Sequence, residues 1–431
     1  MLGSEDQLTR NSYYLRSALP HQRYEPLHGS GSCDVCIVGG GLAGLSAAIE
    51  LRRAGLDVVV LEAMFVGWGA SGRNGGQVLS GLACDMSVVR KELGKDAARA
   101  IWDMTVEAVQ LIGERRREFA IDCHWQDGFI AAAIGAHKAW QLRAWVEELE
   151  RDYGYSGMQL VDRPRVRQWV DTARYEALAF DPRGGHLHPL RYTQALAQGG
   201  AGLGVRIYER TRATALERGA ALVVRTASGG ALRCRYALLA ANVYLEDLLP
   251  EVSKRIMPVG TFVAASARID AERARALIPS RACVSDTQFV LDYFRLSADD
   301  RMLFGGRVSY STVVPRRLAS VMRRRMLGVF PQLHDVPIEY CWGGFVDITM
   351  NRAPDFGRID PNLYYVQGFS GHGLALSGLA GKLVAEAIMG TAARFDVFAR
   401  MPHHVFPGGR ALRMPALILA TAWYRLRDLL S

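Results

Sequence analysis

Val38-Gly39-Gly40-Gly41-Leu42-Ala43-Gly44 decides how this chain is read. An apolar run from Asp34 to Val38 leads into it, apolar residues recur at helical spacing from Leu42 to Ala54, and Leu56 to Leu61 is a second aliphatic run. The order is strand, helix, strand. In that context G-x-G-x-x-G is a phosphate-binding turn. Gly39 permits the tight bend, Gly41 lets the backbone approach a pyrophosphate, and Gly44 lets the helix pack close to the strand. Leu42 and Ala43 open the helix, whose N-terminus presents N–H groups and about half a positive charge to an anion. Glu62, followed by Ala63, ends the second strand 18 residues after Gly44, where a carboxylate accepts hydrogen bonds from a ribose and repels a 2′-phosphate. NADP is disfavoured, leaving NAD or the adenosine half of FAD.

At 431 residues, 49% of them hydrophobic, the chain is long enough for two packed domains and too apolar for global disorder. Its net charge of +9 is carried almost wholly by arginine. Arg115 to Arg117 and Arg323 to Arg325 lie in helical patterns with apolar neighbours and read as solvated faces, so no nucleic-acid partner is expected. The seven scattered cysteines suit a reducing compartment and a cytoplasmic location, and Cys33-Asp-Val-Cys36 lies on a strand, not at the helix start that a redox pair uses. Met1 to Gly31 lacks the plan of a signal peptide, and no stretch reaches the roughly 18 apolar residues needed to span a bilayer. Met414 to Trp423 reads as an amphipathic terminal helix docked on the protein, with a membrane surface as the lesser alternative.

Helical patterns cover Asp85 to Phe119, His137 to Tyr153, Leu190 to Leu203 and Arg316 to Phe330; strands are expected at Gly128 to Ile134, Val205 to Tyr208, Ala220 to Thr226, Ala237 to Ala241, Met257 to Arg268, Val284 to Leu291, Met302 to Val308, Pro337 to Trp342 and Leu363 to Gln367. A last core helix, Gly371 to Met389, closes on Gly390. The fold class expected is α/β: a Rossmann-like dinucleotide domain (residues 32–84, 185–255 and 349–400) and an α+β substrate domain with an antiparallel sheet (85–184 and 256–348), between a surface arm (1–31) and a tail (401–431).

Two further stretches separate FAD from NAD: Val66-Gly67-Trp68-Gly69-Ala70-Ser71-Gly72-Arg73-Asn74-Gly75-Gly76-Gln77, and Gly368-Phe369-Ser370-Gly371-His372-Gly373-Leu374. With the first glycine motif, with Trp342 to Pro354, and with the tail from Phe406 to Arg427, they resemble the D-amino-acid-oxidase (DAO) family of FAD-dependent oxidoreductases over nearly the whole chain. The resemblance implies a glutathione-reductase/DAO-like architecture. Gly69, Ala70, Ser71, Arg73, Asn74, Gly75, Gly76 and Gln77 would then wrap the flavin and its phosphates, and Ala213 would offer a main-chain contact to adenine. Gly371, His372, Gly373, Leu374 and Ala375 would form a helix start at the pyrimidine edge, where negative charge gathers on reduction. Gly378 and Gly381 would let that helix pack closely.

Ala375 stands where some relatives carry a lysine, and Asn74 where histidine-linked members attach their flavin; Cys341 does not align with the cysteine-linked members. FAD is therefore expected to be non-covalent. The resemblance further implies that the carbon beside nitrogen gives a hydride to flavin N5, that the resulting imine is hydrolysed to an aldehyde or keto acid, and that molecular oxygen reoxidises the flavin to yield hydrogen peroxide. The expected substrate is an amine or amino acid, with a gamma-glutamylputrescine-like amine first. An amino-acid dehydrogenase feeding a quinone, a non-catalytic FAD module and an NAD enzyme are the alternatives. His372, Arg352 and Trp68 are the candidate catalytic residues, with packing as the other reading of each; Trp342 is a second candidate wall. His186 and His188 lack nearby acidic or cysteine partners in sequence, and no metal is expected.

Overall fold

The computed structural model of the chain describes residues 9, 11–20, 22–288, 291–309 and 317–407, with backbone only for 307–309; the terminal helix expected at Met414 to Trp423 lies outside the described residues. The chain folds as mixed α/β around two sheets.

The first sheet is parallel at its centre. Gly31–Val38 lies between Val58–Leu61 and Ala231–Leu239, with Arg206–Tyr208 beyond the former and Leu363–Gln367 beyond the latter. Val58–Leu61 is buried along its whole length, as a strand covered on both faces must be. Register sets Val38 beside Leu61 and Leu239, Leu61 beside Tyr208, and Leu239 beside Tyr365. The strand ends therefore form one row, and because the chain leaves Gly31–Val38 toward one side and later fills the other, a crevice opens at that row. Asp355–Asp360 adds an antiparallel edge, and a hairpin of Ala213–Glu217 and Leu222–Thr226 extends from Ala231–Leu239.

Two helices cover one face of this sheet. Leu42–Arg53 and Gly373–Ile388 cross so closely that a Cβ on Gly381 would lie 2.1 Å from the Ala43 carbonyl oxygen and 2.7 Å from the Ala47 nitrogen. Buried Leu45, Ile49, Leu379 and Leu383 fill the space around the crossing, each removing side-chain surface worth about 1.5–3 kcal/mol. Gly378 does not share this role: its nearest neighbour would be Leu111 Cδ2 at 4.0 Å, an ordinary contact.

The second sheet is antiparallel apart from Cys283–Asp286, which runs parallel to Gln126–Ala133. Its long central pair is Met257–Arg268 with Ile338–Ile348. The latter runs six residues past the expected end at Trp342, through Gly343-Gly344. Gly343 makes room instead of a turn, since a Cβ there would meet Phe262 Cδ1 at 2.6 Å, whereas one on Gly344 would make only an ordinary contact with Arg73 at 3.7 Å. Cys283–Asp286 is shorter than expected, and Tyr293–Leu296 forms a separate strand after it. The expected helix at Arg316 to Phe330 spans Leu318–Val329; Arg316 is outside the described residues. Gln159–Asp162, Ala177–His186 and Asp355–Asp360 were not foreseen.

The N-terminal arm is inserted, not merely laid over the surface. Tyr14, on the short helix Tyr13–Ser17, is fully buried; its hydroxyl accepts from Arg295 Nη2 at 3.0 Å and its ring lies 5.0 Å from that of Trp342.

Candidate functional site

A cavity of about 1120 Å³ lies between the sheets. Ordinary small-molecule sites hold roughly 300–1,000 Å³, so this one takes a ligand of dinucleotide size. Gly41, at the start of Leu42–Arg53, and Gly373, at the start of Gly373–Ile388, both open onto it. Thr261, Tyr293 and Gly344 of the second sheet close the far side.

The first glycine turn is braced by Glu62. One carboxylate oxygen accepts from the Gly40 N–H at 2.8 Å and the other from the Met64 N–H at 2.9 Å, while burial raises its pKa despite those bonds. Gly39 has φ +117°, and a Cβ there would lie 2.5 Å from the Ala240 carbonyl oxygen. The Leu42 N–H donates to Ser71 Oγ at 3.0 Å, which ties the helix start to the Gly69–Gln77 loop; a Cβ on Gly41 would meet the same hydroxyl at 2.8 Å. Ala63 and Ala213 line the cavity beside Glu62. This cradle, small at every point where a side chain would fill it, fits a dinucleotide.

Gly69, Ala70, Ser71, Arg73, Asn74, Gly75 and Gln77 line the cavity further along. Asn74 shapes this loop from within: its Nδ2 donates to Ala70 O at 3.0 Å and its Oδ1 accepts from Gly76 N at 2.8 Å. Arg73 is buried, donates to the Trp68 and Gly343 carbonyls, and stacks its guanidinium 4.1 Å over the Trp68 ring. Trp68 is thus a wall held between Arg73 and Tyr244. Trp342 stands behind the wall: its indole N–H donates to Arg73 O at 2.9 Å, and it is fully buried outside the cavity lining. Gln77 accepts from Ser285 Oγ at 2.7 Å and links the loop to the second sheet.

Gly44 and Gly76 are not brought to the lining. A Cβ on Gly44 would lie 2.1 Å from the Gly39 carbonyl oxygen, so its role is packing. Gly76 has φ +78° and lies against Leu187 O and Arg295.

The second helix start is bent through an unusual backbone. Gly368, Ser370 and Gly371 have φ of +79°, +52° and +89°, and Arg352, across the cavity rim, has +60°. Such conformations in residues other than glycine concentrate at functional sites. Gly371, His372, Gly373, Leu374 and Ala375 all line the cavity, as does Arg352. His372 Nε2 contacts the Ser80 carbonyl oxygen at 3.3 Å, and burial lowers its pKa, which keeps the ring neutral.

Asp347 escaped sequence reasoning. It lines the cavity under this turn, accepts from the Gly368 N–H at 2.5 Å, and is pushed up to about 6, chiefly by burial. An acid inside the apolar strand Ile338–Ile348 was the available signal. Tyr293, whose ring would be struck by a Cβ on Gly75 at 2.4 Å, carried no such signal. His186 and His188 are taken up elsewhere, by Arg281 O and by Ser17 Oγ, and among the described residues no group of three candidate ligands is arranged to hold a metal. Among the same residues no helix is long and apolar enough to cross a membrane.

Comparison with known proteins agrees with this geometry. The family model described as DAO, FAD dependent oxidoreductase, matches residues 34–387. Gamma-glutamylputrescine oxidoreductase of Escherichia coli (strain K12) is 43% identical over 98% of this chain and 99% of its own. Probable oxidoreductase OrdL of Haemophilus influenzae is 37% identical over 97% of each. Among solved structures, L-proline dehydrogenase from P. horikoshii superposes with a TM-score of 0.71 at 20% identity, covering 87% of this chain and 98% of that one. Glycine oxidase from Geobacillus kaustophilus gives 0.69 at 20% identity, covering 83% and 95%.

Proposed function

The chain belongs to the DAO family of FAD-dependent oxidoreductases, and from that premise we propose that it is an oxidase that dehydrogenates the C–N bond of a gamma-glutamylputrescine-like amine. FAD is its cofactor. The observation that carries the reading is the one cavity of about 1120 Å³ onto which both glycine-lined helix starts open. The substrate class is supported by the E. coli relative, whose name carries gamma-glutamylputrescine.

When bound, FAD would supply a hydride acceptor for the carbon beside the amine nitrogen and a route for the two electrons to oxygen, the chemistry that gives an imine and peroxide. The chain's own residues hold and orient. Glu62, which braces the Gly40 N–H, would take the ribose hydroxyls, and Ser71, which accepts from the Leu42 N–H, would lie at the phosphate end. The start of Gly373–Ile388 would hold the flavin pyrimidine with its partial positive charge, in the role a lysine at Ala375 would have filled. Asn74 is occupied within its loop, which supports non-covalent binding. Neutral His372 and the apolar side chains of Leu79, Leu82 and Phe369 keep water and charge away from the reacting amine. Arg352 lines the main cavity, where it attracts an anionic substrate on its way in. We place the enzyme in the cytoplasm, on its unpaired cysteines.

The test is an anaerobic panel of polyamines, gamma-glutamylated amines and D- and L-amino acids, read as loss of oxidised-flavin absorbance. Gamma-glutamylputrescine should bleach the flavin fastest, and readmitted air should restore the colour with peroxide. Bleaching by amino acids alone would sink the substrate class; bleaching that only a quinone or dye reverses would replace the oxidase by a dehydrogenase.

A further inference from the structure

Beside the main cavity lies a second, smaller one of about 170 Å³. Leu79, Leu82 and His372 line both, so the two adjoin where the Gly373–Ile388 helix begins. At about 30 Å³ per water in the liquid, the side pocket holds five or six non-hydrogen atoms. That is the size of a terminal group, not of a whole substrate.

Its walls are aromatic and acidic, with Asp85, Glu148 and Asp181 beside Trp102, Tyr153 and Tyr155. The Trp102 ring lies 5.4 Å from that of Tyr153 and 5.2 Å from that of Tyr155, the latter edge-on. Tyr155 donates to Asp181 Oδ2 at 2.6 Å, which fixes that wall. Two lining atoms of opposite hydrogen-bonding sense are sealed from solvent and make no hydrogen bond: the indole N–H of Trp102, a residue only 3% exposed, and Glu148 Oε1. Arg90 Nη2 forms an ion pair with that oxygen at 3.4 Å without a hydrogen bond, and the Glu148 side chain as a whole is 25% exposed. A buried polar atom left without a hydrogen bond is costly, and native folds seldom keep two in one pocket. A ligand carrying both an acceptor and a cationic donor satisfies the two atoms, and aromatic faces favour the cation.

We infer that the side pocket receives the α-amino-acid head of the substrate, its ammonium on Glu148 and its carboxylate on the Trp102 indole N–H, while the reacting amine at the other end lies in the main cavity. The inference rests on the amine-oxidase reading above. It makes Glu148 and Trp102 specificity-determining residues that take no part in the chemistry. A gamma-glutamyl amide presents this head; a free diamine does not.

The experiment uses the holoenzyme with a gamma-glutamylated diamine, the same compound acetylated at its α-nitrogen, the same compound esterified at its α-carboxylate, and the free diamine. Each modification of the head should raise KM about tenfold or more with kcat nearly unchanged. Glu148→Gln should impose the same rise on the intact substrate, abolish discrimination against the acetylated one, and leave the free diamine as it was. Trp102→Phe should do likewise for the ester. Equal KM for intact and modified substrates in the unaltered enzyme would overturn the proposal, as would an equal effect of Glu148→Gln on every substrate. Binding is also read without turnover, by titrating tryptophan emission with gamma-glutamylethylamide, which has the head and no reacting amine. A saturable change weakened about tenfold in Glu148→Gln supports the pocket even if no amine is oxidised and the functional reading fails; no change, or one indifferent to Glu148→Gln, overturns it.

Discussion

The two glycine-lined helix starts serve one cavity by different physical means. At Gly39–Gly44 the glycines answer crowding: a Cβ on Gly39 or Gly44 would run into backbone within 2.5 Å. At Gly368–Gly373 crowding recurs at Gly368 and Gly373, where a Cβ would meet Thr349 Cγ2 at 2.6 Å and Phe369 Cβ at 2.9 Å, but at Gly371 the demand is conformational alone. Gly371 has φ +89° with nothing within 4 Å of where a Cβ would point. The first turn is held by packing and belongs to the fold as much as to the ligand; the second is a bent rim held by a few hydrogen bonds, chiefly those of Asp347. Residues that look alike in sequence therefore differ in what their loss should cost.

The strongest way to break this contrast is Gly44→Val. Its side chain cannot coexist with the Gly39 carbonyl, so the variant should be recovered colourless or aggregated, measured as flavin per chain after purification; normal flavin content would show that the crowding is not real. Glu62→Ala comes next. Losing both carboxylate acceptors for Gly40 and Met64 should cost about 2–3 kcal/mol and weaken FAD at least tenfold, read by flavin fluorescence on dilution. Asp347→Asn tests the rim. Because the folded carboxyl titrates near 6 and the unfolded one about two units lower, the folded chain binds more protons across that window. Stability should thus fall as pH rises from about 4 to 6, by at most about 1.4 kcal/mol per pH unit, and denaturant titrations should find that slope reduced in Asp347→Asn. Gly371→Ala should do least to the fold. A strain of about 1–2 kcal/mol should leave FAD bound and lower kcat more than affinity. An effect on flavin content as large as that of Gly44→Val would erase the distinction between the two turns.

Legibility in the sequence follows the same division. Where one periodicity dominates, elements were readable almost to their ends: Leu363–Gln367 is the strand expected, and Gly373–Ile388 departs from expectation by only a residue or two at each end. Glu62 was readable because spacing from a glycine motif locates it. Ala177–His186 was not, since Asp-Pro-Arg-Gly-Gly looks like a break in the chain. Only the fold shows why glycine is needed there: Cβ atoms on Gly184 and Gly185 would meet Phe129 Cβ at 2.8 Å and Gln126 O at 2.6 Å. The walls of the cavity failed for a related reason. Trp342 and Trp68 are the same residue type in equally glycine-rich settings, yet one faces the cavity and the other supports it from behind, a difference created by Arg73 between them. Tyr14 likewise gave no hint from its polar, aperiodic neighbours that it would be buried.

The crossing of Leu42–Arg53 with Gly373–Ile388 has a consequence in time. At roughly 5–20 residues per second on the ribosome, the helix bearing Gly381 follows the one bearing Ala43 by about 17 s to more than a minute. Throughout that wait the earlier helix shows a greasy, side-chain-poor flank to whatever passes. Docking of this pair thus waits until most of the chain has been made, a contact of high sequence separation of the kind that slows folding.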